Sequence, residues 1–208
     1  KSSRIRSKIT EVDKNKIDIF LKNIDNNYFL TETNKENLSF VLAISKKLNI
    51  QTNLLKKVIQ NFKGLKYRQQ IIFENKNLII INDSKSTSFA SSENLLRGLK
   101  NVYWILGGIP KKGDKFKLSK NHCKKFKAYT FGNHHKDFKK CLSNKIILNN
   151  LNTLHDILHK IFVDIRKKKL IKNIILFSPA GASFDNFKNF EDRGFYFNKL
   201  IKRHLNEI

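Results

Sequence analysis

The chain has 208 residues, 40% of them hydrophobic, and a formal net charge of +25. A chain of this length buries roughly 70% of its unfolded surface, so it needs neither a disulfide nor a metal to fold, and no apolar run approaches the ~20 residues of a membrane span. Cys123 and Cys141 are the only cysteines and lack metal-ligand spacing, which suits a reducing, cytoplasmic setting. No signal peptide is visible, and a chain that begins at Lys1 and contains no methionine reads as a piece of a longer protein. Clustered lysine would point to nucleic acid. Here the lysines are scattered over every segment, Lys167-Lys168-Lys169 being one short run at a helix end where the dipole favours cations. The Phe residues fall at apolar periodic positions rather than between basic ones. Neither a nucleic acid nor a membrane is expected as a partner, although the basic surface would attract phosphorylated substrates.

Residues 1–26 are polar and weakly periodic. Ile17, Phe20 and Leu21 can share a helical face, and no role is read for them. A clearer helix begins at Asn34, with Leu38, Val41, Leu42, Ile44 and Leu48 expected on one buried face and Asn34 at or beside the cap. A second helix spans 52–61 with Leu54, Leu55, Val58 and Ile59 apolar, and Gly64 supplies a left-handed residue after it. Residues 71–74 and 78–81 read as two strands joined by the turn Asn75-Lys76-Asn77. Strands and helices then alternate. Strands are expected at 102–106, 128–131, 146–148 and 173–177, and helices at 88–99, 118–125, 135–142, 151–166 and 187–205. That alternation predicts an α/β fold, a Rossmann-like, mostly parallel sheet flanked by helices, preceded by the helical segment.

In such a sheet the loops after the strands converge on one edge, where ligands bind. The first of these is Asn82-Asp83-Ser84-Lys85-Ser86-Thr87, six polar residues where one cap residue would suffice. Ser84, Ser86 and Thr87 can cap the helix that follows, whose unpaired N–H groups favour an anion. The second loop, Gly107-Gly108-Ile109-Pro110-Lys111-Lys112-Gly113-Asp114, allows close backbone approach and offers Lys111 as a cation. The third is Ser178-Pro179-Ala180-Gly181-Ala182-Ser183, followed by Phe184 to Gly194. Its small residues allow a tight fold, and Ser183 with the N–H groups after it can hold a carboxylate or phosphate. An ordinary capped helix with Phe184, Phe187 and Phe190 as core is the competing reading. His155 and His159 stand at i and i+4, as in helical zinc sites. With Asp156 as the acidic neighbour and no third ligand, they read as a polar rim. No metal site and no Walker loop is read.

Together these three loops, with Phe187, Phe190, Glu191, Arg193 and Gly194, resemble the D-glutamate-adding branch of the bacterial Mur ligases. The resemblance runs from near Asn34 to the C-terminus. It implies that residues 1–82 are the C-terminal remnant of the family's central ATP-binding domain, and 83–208 its C-terminal, glutamate-binding domain. It implies an ATP-dependent amide ligase of cytoplasmic peptidoglycan precursor synthesis, joining D-glutamate to UDP-N-acetylmuramoyl-L-alanine through an acyl phosphate. The isolated fragment is expected to be inactive and monomeric, with ATP and Mg2+ bound mainly upstream. By resemblance Thr87, Lys111, Ser183 and the backbone at Phe190 grip D-glutamate, and Lys85 sits near the reacting groups. Asn37 contacts adenine, and Arg68 and Asp83 contact the ribose and phosphate side. The sequence departs from the family at Thr33, where His is usual, and at Tyr67-Arg68-Gln69-Gln70, where His-Arg-x-Glu is usual. Pro110 precedes Lys111 in place of Asp, and Gly181 stands where Cys is common. The alternatives are a basic nucleic-acid-binding module and another amide ligase of the superfamily, such as a polyglutamate-adding enzyme.

Overall fold

A computed structural model describes residues 12, 15–142, 144–167 and 172–206. Part of the 1–26 segment, and Lys168 and Lys169 of the lysine run, lie outside the described residues. The chain divides into two compact units, Lys1–Phe62 and Lys63–Ile208.

The first unit contains α1 (Asn15–Leu21), α2 (Glu32–Lys47) and α3 (Thr52–Gln60). Ile17, Phe29, Leu38 and Ile59 form its core. The expected faces are corrected here. In α2, Leu38 is buried, whereas Val41, Ile44 and, at the C-cap, Leu48 are 43%, 58% and 66% exposed. Leu54 and Val58 of α3 are likewise exposed, leaving Ile59 as its buried residue. Leu38 and the small Ser39 and Ser45 lie inward, so the apolar stripe is wider than the contact it makes. The cap of α2 is Thr31, whose hydroxyl accepts from the Asn34 N–H. Asn34 instead donates its amide to the Tyr28 carbonyl at 2.6 Å.

The second unit is a three-layer sandwich. Its main sheet has six strands in the order β1 (Gln70–Glu74), β2 (Leu78–Asn82), β7 (Asn173–Phe177), β3 (Val102–Gly107), β5 (Lys127–Phe131), β6 (Leu148–Asn150). The β1–β2 pair is antiparallel and every other pairing parallel. Because β1 and β2 pair into this sheet, the second unit begins at Lys63, upstream of the sequence-drawn division at 82/83. The strands at its centre are apolar on both faces, as buried parallel strands must be. Ile79, Ile81, Val102, Trp104, Leu106, Ala128 and Leu176 face α4 (Phe89–Leu96) and α5 (His135–Leu142). Ile80, Tyr103, Ile105, Tyr129, Ile175 and Phe177 face α6 (Leu154–Arg166) and α7 (Phe190–Asn206).

Several element boundaries differ from expectation, among them the start of α6 at Leu154 rather than 151 and the end of α4 at Leu96 rather than 99. Residues 118–125 hold a 3-10 turn, His122–Lys125, rather than a full helix. Phe116, Leu118, Cys123 and Phe126 are each buried there, anchored by the Lys145 ammonium on the Phe116 carbonyl. β6 starts two residues later than expected, since Ile146 is buried beneath it and Ile147 is 84% exposed. The last helix begins at Phe190, and Phe184 is 73% exposed, so it is not core. Among the described residues no helix is long and apolar enough to cross a membrane.

Candidate functional site: three loops tied at the carboxyl edge of the sheet

The loops after β2, β3 and β7 leave neighbouring strands at one edge of the sheet, and backbone bonds join them directly. The Asp83 N–H donates to the Phe177 carbonyl at 2.7 Å, and the Gly107 N–H to the Pro179 carbonyl at 3.1 Å. Beyond them, β4 (Ile109–Pro110) pairs antiparallel with β8 (Gly181–Ala182). Gly108 makes this pairing possible. Its φ is +95°, and a Cβ there would lie 2.2 Å from the Ala182 carbonyl oxygen. Gly108→Ala is therefore expected to lose about 1–3 kcal/mol in urea unfolding and to abolish the β4–β8 amide protection in hydrogen exchange.

Arg193 clamps the first loop to the third from below. It is fully buried on α7. Its Nε donates to the Ser84 hydroxyl at 3.1 Å, one terminal nitrogen to the Ser84 carbonyl at 2.7 Å, and the other to the Gly181 carbonyl at 2.9 Å. Burial pulls the guanidinium down to about 10, opposed by the charges of Asp185 and Asp83. The Ser84 hydroxyl donates in turn to the Phe190 carbonyl at 2.8 Å. Asn82, at the end of β2, donates to the Gly194 carbonyl and to the Asn198 side chain. The second loop joins through Asp114, whose carboxylate accepts from the Phe89 N–H at 2.6 Å.

These bonds settle how two helix ends are capped. The N-terminus of α4 is capped by Ser88, which accepts from the Ser91 N–H, and by Asp114 on the Phe89 N–H. Ser84 and Ser86 do not cap it: their hydroxyls go to Phe190 and to Ser91 and Ser92. After β8, the Asn186 and Phe187 N–H groups turn back to the Ser183 carbonyl. At the start of α7 the Asn189 side chain accepts from the Asp192 N–H at 2.7 Å.

The residues singled out in the sequence fall as follows. Thr87 and Lys111 are exposed, and Ser183 is 3% exposed. Thr87 adjoins the Phe89–Asp114 tie, and Lys111 and Ser183 directly follow the paired β4 and β8. Lys85 is half-buried, with its ammonium 3.9 Å from the centre of the Phe190 ring, a cation–π contact that joins two of the named residues. Arg68 is exposed. Asp83 is only 6% exposed, and its carboxylate accepts from the Ser178 hydroxyl at 2.9 Å and the Gln69 N–H at 3.1 Å. Asn37 belongs to the first unit, on α2, and is exposed. Three residues that matter to the geometry were given no role of their own by sequence reasoning: Arg193, Asp114 and Ser92. Arg193 had a signal. It shares the stripe of α7 that buries Phe197 and Leu200, where an arginine needs buried acceptors.

Burial pushes the Asp83 carboxyl up to about 7, against the pull of Ser178, the Gln69 N–H, Arg68 and Arg193. The folded value lies above the ordinary 3.8, so the unfolded chain releases this proton first and stability falls as pH rises from about 4 to about 7. The Asp83→Asn variant is expected to lose that part of the decline when urea midpoints are compared across this range.

Fold and site together define an α/β domain that presents a lysine, hydroxyls and a bound second lysine at the carboxyl edge of a parallel sheet, the usual place for ligands in this class. No family model matches the chain. Among curated proteins, it is 36% identical over 178 residues to the UDP-N-acetylmuramoylalanine–D-glutamate ligase of Rickettsia felis, covering 84% of this chain and 39% of that protein. It is 34% identical over 171 residues to the ligase of the same name from the Wolbachia of Brugia malayi, covering 82% of this chain and 34% of that protein. The chain thus spans well under half the length of these relatives. Among solved structures, it superposes on UDP-N-acetylmuramate–alanine ligase MurC of Thermotoga maritima with a TM-score of 0.57 at 16% identity, over 86% of this chain and 39% of that one. MurF of Acinetobacter baumannii gives a TM-score of 0.58, also at 16% identity, over 82% of this chain and 38% of that one. The fold is that of the Mur ligases. Over more than four fifths of its length the chain is similar to Mur ligases, and the sequence relatives named here carry the name of their D-glutamate-adding members.

Proposed function

We propose that this chain forms the D-glutamate-binding part of a cytoplasmic ATP-dependent ligase that joins D-glutamate to UDP-N-acetylmuramoyl-L-alanine in peptidoglycan precursor synthesis. The observation that carries the reading is the three-loop edge, where Lys111, Thr87 and Ser183 all sit on loops bonded to one another. Its support is the similarity to ligases of that name. A dicarboxylate needs a cation and hydroxyl donors held at fixed separation, and that is what tied loops supply.

In the proposed reaction ATP phosphorylates the carboxylate of the UDP-linked substrate. The amine of D-glutamate attacks the acyl phosphate, releasing phosphate and forming the amide. Lys111 would neutralise the side-chain carboxylate of D-glutamate, with Thr87 and Ser183 donating to it and the backbone at Phe190 completing the grip. Lys85, steadied over Phe190, would face the charge that develops on the transferred phosphoryl group. Arg68, being exposed, would meet the nucleotide, and Asn37 its adenine. Asp83, buried and bonded at both oxygens, would act on the nucleotide through the turn it fixes. ATP and Mg2+ would be held mainly by residues outside this chain; among the described residues no group of three His, Cys, Asp or Glu could hold a metal ion. We further propose that the helical first unit continues the ATP-binding part.

The test is substrate selection. With ATP and UDP-N-acetylmuramoyl-L-alanine present, the gene product is expected to release phosphate with D-glutamate and not with L-glutamate, L-alanine or L-lysine. Equal turnover with L-glutamate, or use of a folate or peptide acceptor instead, would overturn the reading in favour of another amide ligase.

A further inference from the structure

The mechanism above leaves unused a row of buried hydroxyls under the first loop. The Ser178 hydroxyl donates to an Asp83 carboxylate oxygen at 2.9 Å. Ser92 lies 2.8 Å from Ser178, Ser86 lies 2.8 Å from Ser92, and Ser91 lies 3.0 Å from Ser86, all hydroxyl to hydroxyl. Ser92 and Ser178 are fully buried and Ser86 is 2% exposed. A hydroxyl has one proton to give and two lone pairs, so the direction of the next two bonds follows from the first. Ser178 spends its proton on Asp83 and accepts from Ser92. Ser92 in turn accepts from Ser86; the Ser91 hydroxyl, next along, has the Ser88 carbonyl at 2.9 Å as well as Ser86 to donate to. From Ser86 to Ser178 the row is polarised toward the carboxylate. It ends at Ser91, whose N–H is held by the Ser88 hydroxyl in the cap of α4, next to Thr87.

We propose that Ser178, Ser92, Ser86 and Ser91 are positioning residues, a hydrogen-bonded relay that couples Asp83 to the turn carrying Thr87. Four hydroxyls are more than the cap needs, since Ser88 alone holds the Ser91 N–H. Their alignment means that a change at Asp83 reorients Ser178, Ser92 and Ser86, because bonds in such chains polarise one another. Protonation lets the carboxyl donate to Ser178, and the bonds from Ser178 to Ser92 and from Ser92 to Ser86 then reverse. The charged and polar groups that face Asp83 are Arg68, Arg193 and the Gln69 N–H, with Asp185 acting on Arg193. At the far end Asp114 holds the Phe89 N–H. That this coupling would align the glutamate loop with the nucleotide side rests on the function proposed above; the relay itself does not.

The test is a double-mutant cycle read by NMR on the chain labelled with 13C-serine, with no ligand present. Asp83→Asn is expected to shift the Ser86 and Ser91 Cβ resonances in the wild-type background. In a Ser92→Ala background the same change is expected to leave both unmoved while still shifting Ser178, and Ser92→Thr is expected to restore the response. The indole resonance of Trp104, which donates to the Ser178 carbonyl at 2.8 Å, reports that each variant is folded. Should Asp83→Asn not fold, Ser178→Ala cuts the first link and is expected to shift Ser86 and Ser91 only when Ser92 keeps its hydroxyl. Equal shifts with and without the Ser92 hydroxyl, or none in either background, would overturn the relay. Because no glutamate or nucleotide is added, the result is independent of whether the ligase reading holds.

Discussion

Arg193→Met is expected to lower the unfolding free energy of the second unit by about 3–5 kcal/mol, because it takes the donor away from buried acceptors. The guanidinium is fully buried and donates to the Ser84 hydroxyl, the Ser84 carbonyl and the Gly181 carbonyl. Methionine fills much of the stem volume but leaves the two carbonyls unpaired, each costing about 1–3 kcal/mol when water cannot reach it, and these costs together make up that loss. It also removes a positive charge that favours the ionised form of Asp83. Trp104, the single tryptophan and wholly buried in this unit, gives a fluorescence readout that the first unit cannot mask. Arg193→Lys is expected to recover part of the loss, since one ammonium can reach some of these acceptors but lacks the planar fork. A midpoint within error of wild type for Arg193→Met would mean that the first and third loops are held together by something other than this clamp.

Lys111→Ala is expected to raise the KM for D-glutamate about 30- to 150-fold in the active enzyme, equivalent to about 2–3 kcal/mol for a charge-assisted contact to a carboxylate. The side chain is exposed on the loop after β4, so its loss is expected to change stability by less than about 0.5 kcal/mol. That separation is the diagnostic part. Arg193→Met acts through the fold, whereas Lys111→Ala leaves the fold alone and acts on substrate. Steady-state kinetics with D-glutamate varied, beside urea unfolding of the same preparation, distinguish the two. Unchanged KM with intact folding would remove Lys111 from the site.

The parts of the fold that were legible in sequence are those whose residues had one way to be buried. Leu78-Ile79-Ile80-Ile81 and the apolar run ending at Phe177 are hydrophobic on both faces, which only central strands tolerate, and both lie at the centre of the sheet. Where burial could be met in several ways, pattern failed. Helical spacing marked Val41, Ile44 and Leu48 as a buried face, yet spacing alone does not say which side of an apolar helix meets the core. The segment around Cys123 buries its apolar residues without a helix because side-chain and backbone bonds from Lys145 and Glu93 hold it open. At the site, the chemistry-bearing loops were legible as polar or small-residue stretches after strands. What ties them was not. Arg193 to Ser84 spans 109 residues and Ser178 to Asp83 spans 95, and no local pattern encodes such pairs. Only one of the helix-end contacts is of this distant kind, that of Asp114 on the Phe89 N–H; Ser88 and Asn189 are local caps directly preceding α4 and α7.

The most direct test of a D-glutamate site on these loops is an amide chemical-shift titration of this chain with D-glutamate, with L-glutamate as control. The account predicts saturable shifts at Thr87, Lys111, Ser183 and Phe190 with the D-isomer and none with the L-isomer. Equal shifts with both isomers, or D-glutamate shifts that fall elsewhere on the chain, would contradict it.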